Sequence, residues 1–104
     1  MMEPADYAKI VRALEREPGV SVGARKGFGA GALKCSGKIF AMLTSRGEFV
    51  VKLPKARVDE LVAAGVGRRF TAGKGREMRE WLMVEHAPRA LPLAREAQLG
   101  ARVQ

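Results

Sequence analysis

The sequence predicts an α+β two-layer sandwich, an antiparallel sheet with helices packed on it, in the order α-β-β-β-α-β-β-α, the residues themselves giving one or two strands after the second helix. Two observations carry that prediction. Three short apolar runs between Phe28 and Leu53 are separated only by Ser36-Gly37 and Ser45-Arg46-Gly47, turns too short for the crossovers that parallel strands need. Helical periodicity then brackets and interrupts the strands rather than alternating with them one for one, which fits α+β better than a doubly wound fold.

Tyr7, Ile10, Val11 and Leu14 recur at helical spacing, with Lys9, Arg12, Glu15 and Arg16 on the opposite side, the pattern of an amphipathic helix. Pro4 suits its first turn, and Pro18-Gly19 ends it. Val20 to Val22 is a candidate short strand outside the main order.

Phe28 to Cys35 is the first strand of the meander, in which Gly29 and Gly31 suggest a bulge or a close approach by another element. Lys38 to Thr44 is apolar on both faces and is expected to lie inside the sheet. Glu48 to Leu53 is the third strand.

Pro54 opens a helix over about residues 55 to 64, with a stripe of Val58, Leu61 and Val62 and a stop at Gly65. Residues 65 to 79 read as a loop, because four glycines are interleaved with Arg68, Arg69, Lys74, Arg76 and Arg79. Glu80 to Glu85 alternates as a strand, and Pro88 and Pro92 mark the start of a last helix over about residues 90 to 102.

With 104 residues, 47% of them hydrophobic and 29% charged, the chain reads as a single globular domain over residues 1–104. One cysteine excludes an intramolecular disulfide and a thiolate zinc site within the chain. The acidic start and the lack of an apolar run of about 18 residues argue against secretion and membrane insertion, so a cytoplasmic location is expected.

The net charge of +8 is uneven. Residues 18 to 47 hold five bases and no acid, and residues 61 to 79 five bases and one acid. Such surfaces attract nucleic acid or acidic proteins.

Few groups are suited to catalysis. His86 has no second histidine to share a metal and reads as an exposed or capping residue, while Cys35 reads as a small buried hydrophobe. Neither Phe28-Gly29-Ala30-Gly31 nor Gly73-Lys74-Gly75-Arg76 completes a phosphate-loop pattern. No catalytic residue, metal, cofactor or small-molecule substrate is expected.

Arg68, Arg69, Lys74, Arg76 and Arg79 form the stronger candidate, since guanidinium groups grip phosphate oxygens and glycines let backbone amides approach. A second patch of Arg25, Lys26, Lys34 and Lys38 extends the footprint if the fold brings it alongside. The competing reading has these charges solvating a loop and pairing with Glu77 and Glu80. Met42, Met78 and Met83, with Phe28, Phe40, Phe49, Phe70 and Trp81, form a stacking platform, an adaptable interaction groove or, as their spacing favours, core.

Gly27-Phe28-Gly29, the run from Gly37 to Leu43, Val51-Lys52-Leu53-Pro54 and the run from Gly75 to Trp81 together resemble the TfoX N-terminal domain family (TfoX/Sxy-like). More distantly they resemble the MmcQ/YjbR-like proteins. The likeness covers about residues 10 to 100 and implies a small bacterial cytoplasmic α+β domain without established catalytic residues. Longer members of that family regulate natural competence genes and carry a separate C-terminal domain that this chain lacks, and the distant relatives are often described as DNA-binding.

The function expected from charge and likeness together is a non-enzymatic regulatory domain that binds nucleic acid or a transcription-related protein. The alternative is a protein-interaction or homodimerisation module without nucleic-acid binding. An enzyme would require a cleft around His86 or Glu80.

Overall fold

A computed structural model of the chain describes residues 2–23 and 31–103. Its three helices are α1 (Pro4–Leu14), α2 (Lys55–Ala63) and α3 (Ala90–Val103). Six strands, β1 (Val20–Val22), β2 (Leu33–Cys35), β3 (Lys38–Leu43), β4 (Phe49–Lys52), β5 (Gly67–Ala72) and β6 (Arg76–Val84), form one antiparallel sheet. Val20–Val22 is therefore a fourth strand ahead of α2, so the observed order is α-β-β-β-β-α-β-β-α.

The sheet order is β1-β2-β3-β4-β6-β5, which puts β3 inside the sheet as its two apolar faces require. The β2–β3 turn is Ser36-Gly37, both with positive φ, the geometry whose twist matches that of paired strands. The expected strand from Phe28 contracts to Leu33–Cys35, and its glycine-rich start falls largely in residues 24–30, outside the described residues.

The segment read as a loop, residues 65 to 79, is instead the larger part of the β5–β6 hairpin. Glycine and arginine content hid its alternation. A single turn at Gly73–Gly75 joins the strands, and β6 begins at Arg76 rather than Glu80.

Buried side chains of all three helices join one face of the sheet in a single core that includes Leu14, Leu33, Phe40, Phe49, Val58 and Leu93. Successive strand residues point to opposite faces, so Met42, Val50 and Met83, which alternate with core residues and pair across β3, β4 and β6, occupy the other face. The aromatic and methionine set therefore divides. Phe40 and Phe49 are core, whereas Met42, Phe70, Met78, Trp81 and Met83 are only half-buried and lie outside the core cluster.

Pro18 explains why α1 ends at Leu14, since a helical proline would clash with the carbonyl four residues before it. After α2, the amides of Gly65 and Val66 donate to Val62 and Leu61 and close the helix. Arg57 links α2 to α3, its Nε and Nη2 donating to the two Glu96 oxygens at 2.8 and 3.1 Å. Cys35 is buried as expected, beside the buried Gln98, whose Nε2 lies 3.8 Å from Sγ. Among the described residues, no helix is long and apolar enough to cross a membrane.

Tyr7 fixes α1 to the segment before β2 by donating from its hydroxyl to the Gly31 carbonyl at 2.6 Å. Burial pushes its hydroxyl pKa from 10.0 up to about 12. Above pH 10 the unfolded chain releases a proton that the folded chain keeps, so stability is intact below pH 10 and falls between 10 and 12. Tyr7→Phe is expected to lose about 1 kcal/mol near neutral pH and to lack this alkaline decline, as urea titrations of both proteins across that range will read.

Candidate nucleic-acid interface

The β5–β6 hairpin distributes its bases by strand geometry. Arg68 pairs across the sheet with Met83, which faces Val50 and then Met42, so Arg68 stands on the helix-free face. Arg69, the next residue, points the other way and reaches Asp59 of α2 at 2.5 Å. Adjacent side chains on a strand point to opposite faces, and this divides the cluster expected from sequence.

The pairing partners also differ from those expected. Arg68 meets Glu85 at 2.9 Å, and Arg69 shares Asp59 with Lys55. Hydrogen bonds from Lys55 and Arg69 hold the Asp59 carboxyl below its ordinary pKa, and the bond to Asp59 raises that of Arg69. Glu80 pairs with Lys52 instead, at 3.5 Å.

Arg76 and Arg79 are exposed and make no ion pair among the described residues. Arg76 sits opposite Ala72 beside the turn. Arg79 belongs to a bulge: Leu82 faces Arg69 and Met78 faces Phe70, leaving Arg79, Glu80 and Trp81 without partners on β5. Arg25 and Lys26 lie outside the described residues, as does the side chain of Lys74.

Arg46, which sequence reading treated only as a turn residue, joins this site. The turn is built by Thr44, whose Oγ1 accepts from the amides of Arg46 and Glu48 at 3.3 and 3.1 Å. It presents Arg46 beside Arg68, Arg69, Thr71, Gly73 and Gly75 around a hollow of about 290 Å³, with Glu48 also on its wall. Only the strand register brings these distant segments together, although a base at the tip of a tight turn was a usable sign.

Of the second patch, Lys34 and Lys38 do not extend this surface. Lys34 alternates with buried Leu33 and Cys35 and so faces the helix-free side, but it is four strands from β5, roughly 19 Å at usual strand spacing. Lys38 lies at a different place, on a cleft beneath α3. His86 is exposed and makes no side-chain capping bond. Among the described residues no group of three or more His, Cys, Asp or Glu side chains is placed to hold a metal.

Chemically, the hollow offers Arg46, without a carboxylate partner among the described residues, and the exposed pair Arg68–Glu85, while Arg76 and Arg79 stand exposed and unpaired among the described residues along β6. Exposed pairs contribute at most about 1 kcal/mol, so an incoming phosphate can take Arg68 from Glu85 at little cost. No family model, curated protein or solved structure matches the chain.

Proposed function

We propose that this chain is a non-enzymatic regulatory domain, cytoplasmic in location, that binds nucleic acid through the β5–β6 hairpin and the β3–β4 turn. The observation that supports the reading is the meeting of Arg46 and Arg68 at one hollow beside the hairpin turn, with Arg76 and Arg79 exposed along β6 and without ion pairs among the described residues. Half-buried Met83 beside Arg68, with Val50 and then half-buried Met42 in line across β4 and β3, adds an apolar strip on which bases can pack. Membership of the TfoX N-terminal domain family belongs to the same proposal, and a DNA-bound regulatory protein with an acidic surface is the partner class nearest to it.

The test is fluorescence anisotropy with labelled duplex and single-stranded DNA over a series of salt concentrations. Three phosphate contacts on duplex DNA give a slope of log K against log salt of roughly −2.7, and Arg68 as a fourth gives about −3.6. Five contacts from the hairpin alone would require about −4.5, a value that the Arg69–Asp59 pair argues against. Absence of binding at low salt sinks the reading and leaves the protein-interaction alternative.

A further inference from the structure

A cleft of about 720 Å³ lies between the second half of α3, the start of β3, the end of β4 and the middle of β6. Its size is within the range of small-molecule sites, roughly 300–1,000 Å³. Phe40, Leu53 and Ala97 give it a buried apolar floor, and the half-buried Trp81 forms one side. Gly100 opens the opposite wall, where an added Cβ would meet nothing within 4 Å.

Four charged side chains line the cleft, and their pairing decides its electrostatics. Glu96 is held by Arg57 at 2.8 Å, and Glu80 by Lys52 at 3.5 Å. Lys38, exposed at the start of β3, makes no ion pair among the described residues. Arg57 also binds Glu60, so acids and bases around the cleft balance, and Lys38 is the lining charge without a carboxylate partner among the described residues, where a bound anion gains a contact without displacing any pair. Apolar body and single cationic anchor are the two features that a small amphipathic acid requires.

We infer that this cleft binds a small monoanion with an aromatic or aliphatic body, its acid group at Lys38 and its body between Trp81 and Gly100. The site adjoins the proposed nucleic-acid surface on β6, where Glu80 and Trp81 follow Arg79, but none of the bases assigned to that surface lines it, and it does not depend on that reading. Burial of a body of this size against an apolar wall with one charge contact gives a dissociation constant on the order of tens of micromolar.

Trp81 is the only tryptophan, which makes energy transfer from it a local probe. The intact chain is titrated with anilinonaphthalene sulfonate, an aromatic monoanion, and with the uncharged phenylnaphthylamine, and decanoate is then added as a competitor. Saturable one-to-one transfer from Trp81, reversed by decanoate, is expected for the sulfonate. Gly100→Leu fills the cleft and is expected to weaken both dyes at least tenfold while the melting temperature holds or rises, since leucine favours a helix over glycine. Lys38→Glu is expected to weaken the sulfonate about tenfold and leave the neutral dye unchanged. Dye binding that survives Gly100→Leu overturns the site, and equal effects of Lys38→Glu on both dyes overturn the anionic assignment. Lys38 is exposed and outside the core, so its variant keeps the test decisive if Gly100→Leu disturbs α3.

Discussion

Replacing Arg76 and Arg79 together by glutamate is expected to weaken binding to duplex DNA about 100-fold, from two charge-assisted hydrogen bonds of roughly 1.5 kcal/mol each. The salt slope should become shallower by about 1.8, near 0.9 for each phosphate no longer neutralised. These are the informative positions because both are exposed and neither is held by a carboxylate among the described residues, so the reversal breaks no ion pair of the fold. Arg69→Glu would instead set a carboxylate against Asp59 and disturb the α2 contact. Anisotropy titrations read the affinity, and thermal melting checks that the variant is folded. An unchanged affinity and slope would remove the hairpin from the binding surface.

Gly67→Ala should destabilise the protein by about 1–3 kcal/mol, the usual range for forcing an extra carbon into packed structure. A Cβ at Gly67 would run into the carbonyl of Met83. That carbonyl belongs to the backbone of β6, which pairs with β4 on one side and β5 on the other, and it has no room to withdraw. Urea titration gives the loss directly. A loss below about 0.5 kcal/mol, the range of ordinary surface substitutions, would mean that β5 shifts freely past β6. The position next to Gly67 is Arg68, so a displaced β5 also moves the base that stands beside Met83.

The helices were legible because each presents an apolar stripe, with proline marking every start and proline or glycine the ends of the first two. Lys55–Ala63 and Ala90–Val103 lie within a residue of the ranges expected. The meander was legible from its turns, and Cys35 from its size and chemistry. β5 was not, because Gly67, Arg68, Arg69 and Gly73 have the composition of a loop, and what makes Gly67–Ala72 a strand is its pairing with β6, a property of the partner. The basic cluster was legible as composition only. Whether neighbouring bases act together depends on their secondary structure, and a strand sends Arg68 and Arg69 to opposite faces whereas a loop need not. Arg46 was missed because its place beside Arg68 depends on the register of strands far apart in sequence.

The sheet order has a bearing on how the chain is made. β5 precedes β6 in sequence but touches the sheet only through it, with β6 inserted between β4 and β5. A growing chain can pair β1 through β4 as each emerges, yet β5 has no seat until β6 has been synthesised and has docked against β4. Emerging from the ribosome, the hairpin bases are thus the late-arriving part of the sheet, and Arg68 and Arg69 acquire their separate sides only when the last strand is in place.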